Sequence, residues 1–323
     1  EADALRPSKA PRKRRGGLEH HRARILEGMA ARGYPVEFAE QVFEQIKGFG
    51  SYGFPESHAA SFALITYVSC WLKCHHPDAF ACALLNAQPL GFYSTAQLIA
   101  DARRHGVRVH PVDVRYSEFE SHLEAGGATA RGPIRLGLRE VRGLKSEAAQ
   151  RIVQARAQRD FRDVEDLAHR AQLDRGDLGL LAEAGALRGL AGHRHRARWA
   201  VAGVETTLPL FEHLPTPEAR VSLPPPSAAE NLLADYARTG LSLGPHPLAL
   251  LRPQLNALRC KRSRELVQMR NRSHVRYAGL VSLRQQPSTA SGVTFVTLED
   301  EDGMVNLVVW QRVAIRDRRA LLE

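Results

Sequence analysis

Residues 204–230 read VETTLPLFEHLPTPEARVSLPPPSAAE, with six prolines, three of them consecutive. Proline has no N–H to give to a helix or a sheet ladder, and its ring fixes φ. The stretch therefore reads as a linker of extended, polyproline II character. Whatever this chain folds into must be built on either side of it, and 323 residues suffice for more than one core.

Upstream of the linker the text is mostly helical. From about Leu18 to Ala87 apolar residues recur at intervals of three and four, as in Leu18, Ile25, Leu26, Met29 and then Phe38, Val42, Phe43, Ile46, with Gly33 and Gly48 as stops. A helix over Ser94–His105 and an alternating run over Val107–Val114 suggest a small α/β insert. From Ile134 the chain reads IRLGLREVRGLKSEAAQRIVQAR, an extended piece, a tight glycine turn, and a helix with Ala148, Ala149, Ile152 and Val153 on one side. A looser copy follows in LGLLAEAGALRGLAGHRHRARWAV. Downstream of the linker, His274–Trp310 is β in type. Val275, Tyr277, Val281 and Leu283 alternate with one gap, and Asp302-Gly303 reads as a hairpin turn before MVNLVVW. Three strands are visible where a small barrel needs about five.

Lys and Arg number 45 against 35 Asp and Glu, with 14 His besides. Such a surface carries a positive field that favours polyanions, nucleic acid first among them. The longest apolar run, Ala59–Leu72, is interrupted by Ser, Thr and Tyr and is too short for a bilayer, so no membrane partner is expected. The N-terminus lacks the apolar core of a signal peptide, and four Cys in so long a chain read as reduced thiols, which points to the cytoplasm. The chain starts at Glu1 within a charged segment, which suggests a piece of something longer.

In GFPESHAASFALITYVSCWLK, Pro55 suits the first turn of a helix, or Ser57 caps it. Either way, free N–H groups and the positive end of the helix dipole face outward near His58, as at a phosphate site. A capped core helix with an incidental His fits the same residues. Ser57 and His58 are adjacent, so their side chains diverge, and no nucleophile elbow frames the serine. Cys70, Cys74, His75, His76 and Cys82 lack the paired spacing of a zinc site, and Cys in an apolar helix behaves as a small buried hydrophobe, so no zinc or other metal is expected here.

Val141-Arg142-Gly143-Leu144-Lys145 has the parts of a helix-hairpin-helix unit. There a glycine lets backbone N–H groups approach a DNA phosphate, with Arg142 and Lys145 adding charge and no base being read. Lys145 stands where a second glycine is usual, and an ordinary strand-to-helix turn would look similar. The second copy, around Gly185 and followed by Arg194 and Arg196, points to DNA. The final β segment is compatible with an OB-fold, with Tyr277, Phe295 and Trp310 either in its core or as stacking platforms.

SYGFPESHAAS, the following FALITYVSCWLKCHHP, and FACALLNAQPLGFYSTAQLIADARRHGVRVHPVDV together resemble the C-family bacterial DNA polymerases, relatives of the polymerase III alpha subunit, and the error-prone branch in particular. Replicative relatives carry Asn-Lys where this chain has Pro55-Glu56, a departure that also resembles the error-prone branch. The resemblance covers nearly the whole chain. It implies helical fingers over residues 1–90, a small α/β connector over 91–122, a tandem helix-hairpin-helix domain over 123–204, the Pro-rich linker over 205–230, and a truncated OB-fold over 231–323. The fold class is thus multidomain, mainly α with a C-terminal β segment. It further implies Ser57 and His58 at the triphosphate of a dNTP, primer–template DNA as partner, and translesion synthesis in DNA damage tolerance as the use. Magnesium would be held by palm carboxylates expected upstream of Glu1, so no catalytic residue is assigned and the chain alone is expected to be inactive. A sliding clamp and damage-tolerance accessory proteins are implied partners. Thr207-Leu208-Pro209-Leu210-Phe211 sits where the family carries a clamp-binding peptide, keeping Leu210 and Phe211 but lacking its Gln. The competing reading is a freestanding helix-hairpin-helix and OB nucleic-acid-binding protein without catalysis.

Overall fold

A computed structural model of the chain describes residues 21–52, 56–91, 93–125, 132–204, 221–287 and 292–322, those at 47–52, 56–58 and 322 by backbone alone. It divides into two compact units, residues 1–75 and 76–323.

Among its described residues the first unit holds three helices, α1 (Arg22–Ala30), α2 (Val36–Tyr52) and α3 (Glu56–His75). The turn between α1 and α2 runs through Gly33 at φ +81°, a left-handed value that glycine adopts without penalty. Ala39 and Phe43 of α2 are buried, and Arg22 of α1 pairs with Glu40 at 2.7 Å. The expected stop at Gly48 is not where α2 ends, since the helix continues to Tyr52. One interior glycine costs a helix only about 1 kcal/mol, which neighbouring turns can offset. Cys70 and Cys74, expected to be buried, are exposed, as are Phe62, Leu64, Ile65, Tyr67, Val68 and Trp71. The apolar residues of α3 run all round the helix, so no single packing face could cover them.

The second unit begins with α4 (Pro77–Asn86), which has proline at its start, and α5 (Thr95–Arg104). α5 opens with a capping box in which Ser94 Oγ accepts from Gln97 N–H and the Gln97 side chain accepts from Ser94 N–H. Three two-residue strands follow, β1 (Val109–His110), β2 (His122–Leu123) and β3 (Ile134–Arg135), in the order β1-β3-β2. β3 pairs in parallel with β1 and antiparallel with β2. The small α/β insert and the start of the hairpin region thus share one sheet. Asn86 of α4 fastens to it, donating from Nδ2 to Ser121 O (2.8 Å) while its Oδ1 accepts from Ser121 N–H (2.9 Å).

α6 (Ser146–Gln158), α7 (Val164–Arg170), α8 (Arg175–Ala184) and α9 (Arg194–Gly203) come next. Ala148, Ala149 and Ile152 of α6, Leu167 of α7 and Leu178 and Leu181 of α8 are buried in one continuous core with Ile134, Leu136, Leu138 and Leu187. Beyond the linker, Ser227 and Glu230 form a second capping box that starts α10 (Ala228–Arg238), which packs on α8.

The C-terminal part holds β4 (Leu280–Gln285), β5 (Thr294–Glu299) and β6 (Met304–Val309), an antiparallel meander. The described strands form an open sheet and do not close into a barrel. The gap in the alternation is physical: the β4–β5 register shifts between Val281 and Leu283, as a bulge requires. The strand also starts later than expected, at Leu280, while Tyr277 makes only an isolated bridge with Lys261. Arg252 reaches the β5–β6 turn and grips Glu301 with two bonds of 2.6 Å.

Candidate nucleic-acid interface

The first hairpin is set by a short 3₁₀ turn, Leu138–Glu140, and by buried Val141. Gly143 then takes φ +89°, and Leu144 N–H donates back to Val141 O at 3.1 Å. That geometry turns Arg142, Gly143 and Lys145 outward together, all exposed. The N–H groups of Gly143 and Lys145 donate to no group among the described residues. α6 begins directly after them with Lys145 at its cap position and no capping side chain, whereas α7 and α8 are capped by Asp163 and Asp174. An uncapped helix start with free amides and a lysine is an anion site by construction. The Glu147 carboxyl beside it is held below the usual range by hydrogen bonds from its own N–H and from Ser146.

Not every donor of this hairpin is free. Arg142 N–H donates to Arg238 O (2.8 Å), and the Arg142 guanidinium reaches Tyr236 O (3.4 Å) near the C-terminal end of α10.

The second copy is built differently. Gly185 ends α8 in the left-handed region at φ +77°. Arg194 lies over it, donating from Nε to Glu183 O (2.9 Å) and from Nη2 to Ala184 O (3.2 Å), so that it closes the free carbonyls of α8. The same guanidinium bonds the Asn231 side chain and Asp235 of α10. Glu183 holds both Arg198 and Arg238. Gly185 is therefore half-buried under a guanidinium spent on internal partners, while Arg196 is exposed. The structure brings Arg142, Gly143 and Lys145 together and places Arg194 in the seam between α8 and α10.

Ser57 and His58 lie in the first turn of α3, so Ser57 is inside the helix and is not its cap; their side chains lie outside the described residues. Pro55, Leu210 and Phe211 also lie outside them. No cluster of three or more His, Cys, Asp or Glu able to hold a metal occurs among the described residues, and no helix there is long and apolar enough to cross a membrane.

Comparison with known proteins joins this geometry to a family. The helix-hairpin-helix motif family matches residues 106–197, spanning both hairpins. The chain is 62% identical over 324 aligned residues to the error-prone DNA polymerase of Pseudomonas paraeruginosa strain PA7, covering all of this chain and 32% of that protein. The chain is related over its full length to a segment of the error-prone DNA polymerases. The error-prone DNA polymerase of Pseudomonas aeruginosa strain PAO1 is 61% identical and that of Alkalilimnicola ehrlichii 56%, each again over the whole chain and 31% of the relative. The chain thus spans about a third of the length of these polymerases.

The role of Arg194 gives a first expected result. Arg194→Ala should lower stability by about 2–3 kcal/mol, because it strands Asp235 and several carbonyls in a half-buried seam. Hydrogen exchange should show faster amide exchange in α10 before α6. Unchanged exchange in α10 would mean that the guanidinium does not hold it.

Proposed function

We propose that this chain is the nucleotide- and DNA-handling part of an error-prone, DNA-directed DNA polymerase that works in translesion synthesis in the bacterial cytoplasm. The observation that carries the reading is the outward Gly143 hairpin, with unpartnered amides at an uncapped helix start, inside a chain similar along its whole length to such polymerases. In this reading the Gly143 and Lys145 amides and the Lys145 ammonium hold a phosphate of primer–template DNA, and they position the duplex without reading its sequence. Arg142 adds charge beside them. Arg196 and the second hairpin at Gly185 flank that contact, and Arg194 keeps the second hairpin in shape. Ser57 and His58, at the positive end of the α3 dipole, face the triphosphate of the incoming dNTP. Leu210 and Phe211 belong to a weakened sliding-clamp peptide, with damage-tolerance accessory proteins as further partners. Magnesium supplies charge neutralisation in phosphoryl transfer. The described residues offer no ligand set for it, so no step of the chemistry is assigned to this chain.

The test is DNA binding across a salt series. The chain should bind duplex and primer–template DNA with little sequence preference, and log K should fall linearly with log salt. Gly143→Val forces a β-branched residue to φ +89° and sets its β-carbon 3.4 Å from the Leu180 side chain, so the turn that aims the Gly143 and Lys145 amides must shift. Binding should weaken about tenfold or more, equivalent to about 1.4 kcal/mol, with the circular dichroism spectrum unchanged. Equal affinity of a folded Gly143→Val protein would remove the hairpin from the interface, and salt-insensitive or absent DNA binding would sink the reading as a whole.

A further inference from the structure

Between Leu241 and Leu298 the sequence carries nine Lys and Arg and a single carboxylate, Glu265. The fold sorts these charges into two sets. Residues 261–277 make a loop closed on itself, where Lys261 N–H donates to Arg276 O (2.8 Å) and Lys261 bridges Tyr277. One side of the loop is fastened to the β5–β6 turn. Ser263 donates from N–H and Oγ to Asp300 (2.7 and 2.6 Å), Arg264 Nε lies 3.1 Å from Asp302, and Arg262 Nε lies 3.5 Å from Glu301. Lys261 takes Glu265 at 2.9 Å. Those pairs use up the nearby carboxylates. The side chains of Arg259, Arg270 and Arg272 are exposed and make no hydrogen bond or ion pair with any described residue.

Two of these three arginines also occupy backbone positions that suit a different residue. Arg259 has φ +58° just past the helix Arg252–Ala257, where its N–H donates to Asn256 O and Cys260 N–H donates to Leu255 O. Glycine is the usual occupant of such a helix end. Arg272 has φ +66° as the third residue of the turn Arg270–Ser273, closed by Ser273 N–H to Arg270 O at 3.2 Å. That position, too, favours glycine or asparagine. A side chain with a β-carbon is a handicap in both places, and what arginine offers in return is its guanidinium.

We infer that Arg259, Arg270 and Arg272 form a second nucleic-acid contact, gripping the phosphate backbone of a DNA strand at a surface separate from the Gly143 hairpin. Guanidinium groups match phosphate oxygens in paired hydrogen bonds. Asn271 and Ser273, exposed beside Arg270 and Arg272, are neutral donors of the kind that accompany such contacts. The exposed apolar side chains of the loop, Val267 and Val275, stand apart in sequence, which suits a polyanion better than the apolar centre of a protein interface. The inference rests on the polymerase reading only in taking DNA as the polyanion.

The experiment uses the whole chain with labelled oligothymidylate and a labelled duplex, titrated by fluorescence anisotropy over a salt series. Arg259→Gly and Arg272→Gly remove the guanidinium and relieve the backbone together, so thermal stability should hold or rise. Each should reduce the salt slope by about 0.7 on single strands or about 0.9 on duplex, and the double variant should weaken binding several-fold. The arm that loses more identifies the strand form held by the loop. Slopes and affinities unchanged on both DNAs would overturn the inference. If Gly143→Val weakened binding in that same assay, the polymerase reading would stand without the loop. A lower melting temperature for either glycine variant would mark the arginines as structural and also overturn it. So would loss of binding to an acidic polyglutamate peptide with DNA binding intact, because the partner would then be a protein.

Discussion

Replacing Gly137 by alanine is expected to destabilise the second unit by about 3 kcal/mol or more, at or beyond the upper end of overpacking effects. The reason is space. Gly137 has an ordinary extended backbone, φ −75° and ψ 157°, so its dihedrals suit any residue. A β-carbon there would come within 2.6 Å of backbone atoms of Phe119, Glu120 and Ser121. These atoms cannot rotate aside, because the two segments are stitched together. Gly137 N–H donates to Ser121 Oγ (3.1 Å), Leu138 N–H to Glu118 O (2.9 Å), and Ser117 Oγ to Leu136 O (2.7 Å). Domains have only about 5–15 kcal/mol in hand, so urea denaturation should show a large fall in midpoint at unchanged slope. Gly189→Ala is the control. The nearest atoms to its β-carbon would belong to the Arg115 guanidinium, the end of a flexible side chain that can move at the cost of its Asp113 ion pair, so its effect should be smaller than that of a backbone clash. Equal losses from the two substitutions would refute the backbone clash as the cause.

The second large effect is expected at Asp166. Its buried carboxylate accepts from Arg159 Nη2 (2.8 Å), Arg162 N–H (3.0 Å), Arg162 Nη2 and Arg170 Nη1 (both 3.3 Å), joining the loop after α6 to α7. Arg170 also lies over the Phe161 ring and donates to Arg159 O (2.8 Å). Burial alone would push the Asp166 carboxyl up, but the Arg162 amide and the Arg170, Arg159 and Arg162 guanidinium groups outweigh it and hold it below the usual range. Asp166→Ala should cost about 2–4 kcal/mol. This is at the lower end for a broken buried pair because Arg159 and Arg162 keep access to water. Asp166→Asn should lose less, since the amide oxygen can still accept. The linkage has a definite sign. A carboxylate with a depressed folded pKa contributes its full stability above the ordinary carboxylate range and loses it as pH falls through the folded value. Stability of the parent should therefore decline on acidification more steeply than that of Asp166→Asn, and parallel declines would count against Asp166 as the acid-sensitive group.

How much of this was legible in the sequence differs from residue to residue. The Gly143 turn was legible because Val141-Arg142-Gly143-Leu144-Lys145 sets a glycine between two cations just ahead of a helical pattern, and its φ of +89° is a value that residues with a β-carbon resist. The Ser94–His105 helix and the three late strands obey short-range rules, so they are placed within a few residues; the helix Ala228–Arg238, behind three consecutive prolines, was not legible. The role of Arg194 could not be read, because its partners Asn231 and Asp235 lie across the linker. As one cation in HRHRAR it looks like any other charge on a basic surface. Gly137 was equally silent: the backbone it must admit belongs to residues 119–121, and no local pattern announces that approach. The free arginines at 259, 270 and 272 were hidden among paired ones, since only the fold decides which cations find carboxylates.

The bonds from Arg142 and Arg194 to α10 change the meaning of the proline-rich stretch. Its far end, carried by α10, returns to the same body from which its near end, α9, departs, and His195 also lies 2.8 Å from Pro224 O. A segment anchored at both ends to one platform is a handle, not a tether. Its length then sets no reach between domains, and doubling it would cost about 0.6 kcal/mol of closure entropy without moving the hairpins relative to the sheet. Substitutions and length changes within residues 205–220 could therefore be accommodated while α8, α9 and α10 keep their places.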